Sequence, residues 1–316
     1  MSVFLEVRRA AERVATEARY VHLSEDGVER LTRELAVTAP AATLDPARQS
    51  LGDAELDLAF AITMNAINFG SGWFPELKKR PGRSGYLTLA SALAERFEKA
   101  GPWSARELAQ LGGAECAVTF GQESQHEAAP LMDLYAEALR ALGVFLDRWD
   151  GRFEGLVEAA GGSAERLVGL LAEMPFYRDV AFYDGREVPF YKRAQITVSD
   201  LAETFGGQGW GAFEDLDSLT MFADNLVPHT LRMKGVLQLA PGLVARIDRG
   251  EFLESGSPEE VEIRALGVHA VEQLVASLAA AGVSTTAHAL DHRLWDLGQS
   301  PAIKAVPRHR TRCTFY

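Results

Sequence analysis

Residues 192–235 read KRAQITVSDLAETFGGQGWGAFEDLDSLTMFADNLVPHTLRMKG. The spacing of apolar residues predicts a helix from Ala194 to Phe205, then a glycine-rich loop without a phosphate-binding motif. A second helix follows, in whose first turn Pro228 is tolerated. Asp224 lies among apolar residues just before that helix, where a carboxylate faces the positive helix end. This order of helix, break and helix indicates a mainly helical fold around it.

Asp224 allows two interpretations. An ionised carboxylate in an apolar cleft can act as a nucleophile, a general base or a stabiliser of positive charge. The simpler interpretation is an aspartate that hydrogen-bonds the start of a helix. The residues alone leave both open.

The segment before this stretch predicts a β-hairpin. Residues 180–191, VAFYDGREVPFY, are β-branched and aromatic, with Asp184 and Gly185 at the turn. Lys192 and Arg193 follow at the start of the next helix, where a basic pair and backbone N–H groups can bind an anion. A solvated basic pair on the surface is the alternative.

Amphipathic spacing and capping residues predict the remaining helices. They are Val3–Ala18, a helix after Ser24 to Ala36, Glu55–Phe69, Leu87–Ala100, Ser104–Leu111, Pro130–Trp149, Ser163–Met174 and a long helix from Pro258 to Gly282. Arg264 lies close enough to the apolar stripe of the long helix to pair inward with a carboxylate; an ion pair on the helix surface is the alternative. The C-terminal residues 305–316 alternate in the manner of a strand. We expect one compact domain over residues 1–316, with residues 1–50 as a helical extension packed on it.

An amide and aromatic rings gather where the helix Glu55–Phe69 ends. Asn65 and Asn68 are followed by Trp73 and Phe74 in a glycine-flanked segment. Such groups read the edge of a planar heterocycle and stack on its face. A plain aromatic core beside a glycine turn is the alternative.

Composition limits the function classes. The chain has 316 residues, 47% of them hydrophobic, and a net charge of −12, which disfavours binding to polymeric nucleic acid. Its two cysteines form neither a disulfide framework nor a metal cluster. No signal segment or membrane-length apolar run is evident, so we expect a soluble cytoplasmic protein.

Four blocks together resemble the queuosine salvage family. They are YKRAQI at 191–196, LTMFADNLVPHTLRMKG at 219–235, EVEIRALGVHAVE at 260–272 and the segment from Asn68 to Tyr86, joined by VPRHRTRCTFY at the C-terminus. The chain departs from the family pattern at Asn225, Leu226 and His229, where the family usually has Tyr, Arg and Gln. A further departure leaves the stacking aromatic at Trp73 or Phe74.

The resemblance implies a metal-free, mainly helical hydrolase with an architecture related to helix-hairpin-helix DNA glycosylases. It would cleave the N-glycosidic bond of queuosine 5′-monophosphate and release queuine, the modified tRNA base, for salvage. Asp224 would align and deprotonate water or attack the ribose directly. Lys192 would hold the 5′-phosphate or keep Asp224 ionised.

The resemblance also suggests residues that bind the substrate. Asn68 would read the base edge, with Phe69, Trp73 and Phe222 stacking on the base. His229 and Arg264 are further candidates for ribose or phosphate contacts. No cofactor is expected, and a small nucleotide is the only expected partner.

Two other functions stay open. A DNA or RNA base glycosylase would share the architecture, although the charge of −12 argues against it. A non-catalytic helical protein that binds a nucleotide or base would be stabilised by its ligand without forming product.

Overall fold

The computed structural model describes residues 2–38 and 50–316. The helices are α1 (Val3–Glu17), α2 (Glu25–Val37), α3 (Ala54–Ala66), α4 (Gly85–Ala100), α5 (Ala105–Leu108), α6 (Gly113–Phe120), α7 (Ala129–Leu146), α8 (Phe153–Ala159), α9 (Ala164–Leu171), α10 (Lys192–Thr204), α11 (Val227–Met233), α12 (Pro241–Asp248), α13 (Pro258–Ala280), α14 (Ala287–Gly298) and α15 (Pro301–Lys304). The strands are β1 (Val21–Leu23), β2 (Val180–Tyr183), β3 (Arg186–Pro189) and β4 (Leu237–Leu239). The predicted mainly helical fold is confirmed.

The described chain forms two compact units that interleave in sequence. The first comprises residues 2–38, 179–192 and 217–312, and the second comprises residues 50–178, 193–216 and 313–316. The expected loop between the second and third helices falls on residues 39–49, outside the described residues. A single domain and the likeness to DNA glycosylases stay predictions.

The first unit is built around α13, which packs against α1, α2, α11 and α14. Ser257 begins the helix because its hydroxyl accepts the Glu260 N–H, and Pro258 occupies the first turn. The apolar faces of α1 and α2 join the same hydrophobic core, as their spacing predicts. The long helix therefore packs directly against α11 and α14, two helices that position candidate site residues in this unit.

By length and composition, α13 could cross a membrane. Three of its charged residues, Glu260, Glu262 and Arg264, are nevertheless buried within the unit. The Glu262 carboxylate accepts the N–H groups of Tyr20 at 2.6 Å and Val21 at 3.0 Å, and the Tyr183 hydroxyl at 2.7 Å. These contacts are those of a core helix.

Two antiparallel strand pairs complete the first unit, β1 with β4 and β2 with β3. The predicted hairpin is confirmed: Asp184 and Gly185 turn it with φ values of 46° and 76°, which an Asp-Gly pair tolerates. The predicted C-terminal strand is wrong. In the described chain that segment makes one isolated bridge, Arg310 with Phe252, because no neighbouring strand extends the pairing.

The second unit packs α7 against α3, α5, α6 and α8. Helix α3 is buried without a break from Leu58 to Ala66, which explains its apolar composition on all sides. It ends three residues earlier than predicted, so that Asn65 lies inside the helix and Asn68 and Phe69 lie beyond its end.

Candidate active site

Asp224 forms the start of α11 with one of its two carboxylate oxygens. Oδ1 accepts the N–H of Leu226 at 2.8 Å and of Val227 at 3.0 Å. Oδ2 forms no hydrogen bond with any residue that the structure describes, and the side chain is half-buried among buried neighbours. Oδ1 therefore hydrogen-bonds the start of the helix, as the simpler interpretation of Asp224 expects. Oδ2 remains available to a reacting group.

Arg264 fixes the backbone that precedes Asp224. Its Nε donates to the Ala223 carbonyl at 2.9 Å, and its two terminal nitrogens bind the Asp179 carboxylate at 3.0 and 2.6 Å. The Arg264 and Asp179 side chains are 2% and 3% exposed. The guanidinium also lies 3.9 Å from the Phe190 ring centroid. Of the two possibilities that the sequence left open, Arg264 thus shows inward pairing, and it has the contacts of a positioning residue.

Asp179 extends this link to Lys192. Its Oδ2 accepts the Lys192 backbone N–H at 3.1 Å, and Lys192 begins α10 directly after Tyr191, whose φ is 48°. One buried ion pair therefore fixes both the Asp224 turn and the backbone that carries Lys192.

Asp291 on α14 is an acidic residue that the sequence analysis missed. Its side chain is buried, and Oδ1 accepts the Phe222 N–H at 3.0 Å. Burial raises the pKa of Asp291 well above its usual value, and the negative charge of Asp224 adds to the rise. The Phe222 N–H and the positive charge of Lys192 oppose it. Asp291 is thus an acid of raised pKa in the same unit as Asp224.

Basic side chains lie in the same unit. Burial lowers the pKa of Arg308, while Asp224 opposes this effect. Burial, followed by the charges of Arg308 and other cations, lowers the pKa of His309 to about 3. His229 is buried, and its Nε2 lies 3.1 Å from the Ile303 carbonyl oxygen. Arg308 is half-buried and has no hydrogen bond or ion pair among the described residues, which leaves it available to an anion.

The second unit holds the predicted base-reading group. Asn65 is buried and donates from Nδ2 to Asp200 Oδ2 at 2.8 Å, while its Oδ1 accepts from Asn68 Nδ2 at 3.3 Å. Asn68 is half-buried. The buried Asp200 carboxylate therefore orients Asn65, which in turn orients Asn68.

The predicted aromatic residues are buried. Phe69 packs edge-on against Tyr135 at 5.1 Å and stacks on Phe176 at 6.0 Å between ring centroids. Trp73 lies in a short 3₁₀ helix. In the first unit, Phe222 packs edge-on against His292 at 5.7 Å. Stacking of these rings on a base stays a prediction.

Arg193 is not part of a solvated basic pair and does not present its guanidinium as an open anion site. It is 1% exposed, and its terminal nitrogens donate to the carbonyls of Asn65, Ala66 and Phe176. The guanidinium also lies 4.8 Å from the ring centroid of Phe69. These contacts close the carboxyl end of α3, where carbonyl groups lack helical partners.

The deciding observation comes from comparison with known proteins. A family model described as queuosine salvage protein matches residues 48–316. The chain belongs to the queuosine salvage protein family. The resemblance carried by the sequence blocks is confirmed.

Full-length relatives agree with this membership. One from Sphaerobacter thermophilus is 38% identical, covering 99% of this chain and 98% of the relative. One from Mus musculus is 31% identical, covering 99% of each. Both are named queuosine 5′-phosphate N-glycosylase/hydrolase.

Two residues of the candidate site, Asp291 and Arg308, had only weak signals in the sequence. Asp291 lies in a helix begun by Thr286, whose hydroxyl accepts the Ala289 N–H, and Leu290 and Leu294 supply the apolar spacing. That cap and spacing could have found the helix but not the link to Phe222. For Arg308 the sequence offers only its place among several C-terminal arginines.

Proposed function

We propose that the protein hydrolyses the N-glycosidic bond of queuosine 5′-phosphate, giving queuine and ribose 5-phosphate. The observation that carries this proposal is the Asp224 carboxylate, of which one oxygen is hydrogen-bonded and the other is not, together with the activity for which the full-length relatives are named. One oxygen holds the start of α11, and the other is left for the reacting sugar.

Queuine is a 7-deazapurine, so a carbon replaces the ring nitrogen at which purines are readily protonated. The rate must then come largely from stabilising the positive charge that develops on the ribose as the bond between C1′ and the base breaks. The broken bond's electron pair leaves with the base, whose nitrogen gains the proton that the attacking water loses, while the water oxygen bonds to C1′. Asp224 Oδ2 stabilises the developing cation and either takes a proton from the attacking water or bonds to C1′ until water displaces it.

The positive charges of the first unit suit the 5′-phosphate. Arg308 is the strongest candidate because its half-buried guanidinium has no ionic partner among the described residues. A phosphate would supply the missing charge and accept charge-assisted hydrogen bonds. Lys192 and His229 are further candidates, with the charge of Lys192 also lowering the pKa of Asp291.

Base recognition is assigned to Asn68, with Phe69, Trp73 and Phe222 as stacking candidates. The orientation of Asn68 through Asn65 and Asp200 supports its part, since a fixed amide discriminates between donors and acceptors on a base edge. Arg264 is assigned to holding the Asp224 turn rather than to binding substrate.

The test is incubation with queuosine 5′-monophosphate, followed by chromatography and mass spectrometry for free queuine. Queuosine and guanosine monophosphate serve as comparison substrates. We expect queuine release from the queuosine nucleotide and no base release from guanosine monophosphate. Absence of queuine would contradict the proposal, and a ligand-induced rise in melting temperature without product would favour the binding-protein alternative.

The same proposal makes a free nucleotide, not a polynucleotide, the partner. A gel-shift titration with tRNA at several salt concentrations tests this, because polynucleotide binding weakens steeply with salt. We also propose a cytoplasmic location; both cysteines, Cys116 and Cys313, are free and buried, which suits a reducing compartment.

A further inference from the structure

Asp291 holds the residue two positions before the proposed reactive carboxylate. Helix α14 presents it to the Phe222 N–H, which its Oδ1 accepts at 3.0 Å. Phe222 in turn closes a tight turn, since its carbonyl accepts the Asp224 N–H at 2.6 Å. Displacing Asp291 would therefore move the backbone on which Asp224 is mounted.

Asp291 is buried at 4% exposure, and its Oδ2 has no hydrogen-bond partner within residues 2–38 and 50–316. A carboxylate in that position would be poorly solvated, so the protonated acid is favoured. The charged groups that act on it are Asp224, ahead of α11, and Lys192, at the first residue of α10. Helices α13 and α15 also pack against α14, and their described charges are not among those that shift the pKa of Asp291.

We propose that Asp291 is a positioning residue that works as an uncharged acid: it holds the Phe222–Asp224 turn by accepting the Phe222 N–H, and it leaves the negative charge of this region on Asp224. The inference rests on the proposed function, because it concerns the carboxylate assigned to that reaction. Ionisation of Asp291 would place a second negative charge near Asp224.

This assignment gives a direction for pH dependence. Asp291 is protonated in the folded protein below its raised pKa and loses its proton as the pH rises through that value. Turnover should therefore fall as the pH rises through the raised pKa of Asp291. Asn keeps an oxygen that accepts the Phe222 N–H and cannot ionise, whereas Ala removes the acceptor.

The experiment compares kcat and its pH profile for the wild type, Asp291→Asn and Asp291→Ala. We expect Asp291→Ala to lower kcat by about 10- to 100-fold through misplacement of Asp224. Asp291→Asn should restore at least about one third of the wild-type kcat at neutral pH, since one neutral acceptor replaces another. The decline of its kcat with rising pH should begin at a higher pH than in the wild type.

Asp215→Asn is the matched control. Asp215 also accepts backbone N–H groups, from Ala164 at 2.5 Å and Glu165 at 3.0 Å, but in the second unit and without a part in the proposed chemistry. The kcat of Asp215→Asn, and the decline of that kcat with rising pH, should match those of the wild type. If Asp291→Asn lost as much kcat as Asp291→Ala, or declined at the wild-type pH, the inference would be overturned.

A second readout does not need substrate. The unfolded chain releases the Asp291 proton at the ordinary aspartate pKa, whereas the folded protein keeps it, so wild-type stability is lost between those two pKa values as the pH rises. As the pH rises above the ordinary aspartate pKa, the melting temperature of Asp291→Asn should therefore increase relative to that of the wild type, by about 2 °C or more. An inactive wild type with this gain would contradict the proposed function and leave the neutral acid confirmed; no gain would contradict the neutral acid itself.

Discussion

Asp224 and Arg193 each place a charged side chain at the end of a helix. Asp224 binds N–H groups at the start of α11, and Arg193 binds carbonyl groups at the end of α3, as the helix dipole requires. The two differ in exposure and in how far their polar atoms are used. Arg193 is buried, with its terminal nitrogens on three carbonyls and its plane beside the Phe69 ring. Asp224 is half-buried and uses one oxygen.

The comparison shows that a charge within apolar surroundings does not by itself mark a reactive group. The sequence singled out Asp224 for its apolar surroundings and Arg193 as half of a basic pair, and both residues stabilise a helix end. What separates them is exposure: Arg193 is buried, whereas the half-buried Asp224 has an oxygen that forms no hydrogen bond with the described residues. We therefore expect substitutions of Arg193 to affect folding and substitutions of Asp224 to affect turnover.

The largest expected effect is the loss of stability in Arg193→Ala. Removing the guanidinium leaves the carbonyls of Asn65, Ala66 and Phe176 without their donor in a buried place. We expect the free energy of unfolding to fall by about 3–5 kcal/mol, measured by urea denaturation.

Arg148→Ala is the matched control for that loss. Arg148 also lies over two aromatic rings, at 4.9 Å from Phe145 and 5.2 Å from Trp149, and it pairs with Glu173, but it is exposed. Its removal should cost less than about 1 kcal/mol. Equal losses in the two variants would show that burial of Arg193 contributes nothing special.

The second expected effect is on catalysis. Asp224→Asn removes the negative charge but keeps an oxygen for the Leu226 and Val227 N–H groups, and Asn is a good residue at a helix start. We expect kcat for queuosine 5′-monophosphate to fall by about 10²- to 10³-fold. The free energy of unfolding should change by less than about 1 kcal/mol. A variant that kept most of its turnover would remove Asp224 from the proposed reaction.

Much of this contrast was readable in the sequence, and part of it was not. Pro228 and the apolar residues around Asp224 predicted the helix start, because local capping rules decide it. The hairpin and the capped start of α13 were found for the same reason. The hydrogen bonds of Arg193 to backbone carbonyls were not predicted, since its partners Asn65 and Phe176 lie 128 and 17 residues away in sequence.

The supporting residues were harder to predict than the reactive candidate. Asp291 reaches Phe222 across 69 residues, and Asp179 reaches Arg264 across 85. Such pairs depend on how helices pack, which local spacing does not specify. The predicted C-terminal strand was wrong although its local alternation is present in the sequence. Among the described residues, the segment pairs with another part of the chain only through one isolated bridge.

Arg308→Ala should separate phosphate binding from chemistry. Loss of a charge-assisted contact to the phosphate should raise KM for queuosine 5′-monophosphate by about 10- to 100-fold, with kcat changed less. Unphosphorylated queuosine should be affected little, so the preference for the nucleotide should shrink. Steady-state kinetics with both substrates measures this.

Arg246→Ala is the control for Arg308. Arg246 is already paired with Glu259 at 2.8 Å and with Glu251 at 3.3 Å, and should leave the preference for the nucleotide intact. If Arg308→Ala weakened nucleotide and nucleoside equally, the contact would not be to the phosphate.

The smallest expected effect distinguishes two neighbouring asparagines. Asn68→Ala should raise KM by about 5- to 10-fold, equivalent to one hydrogen bond of about 1 kcal/mol, and leave the free energy of unfolding nearly unchanged because the side chain is half-buried. Asn65→Ala should instead lower the free energy of unfolding by about 1–3 kcal/mol, since it removes a hydrogen-bond donor from the buried Asp200 carboxylate. Asn65 therefore corresponds to Arg193, a buried group used by the fold, and Asn68 to Asp224. Urea denaturation and steady-state kinetics on both variants test that correspondence, and a loss of stability in Asn68→Ala equal to that in Asn65→Ala would break it.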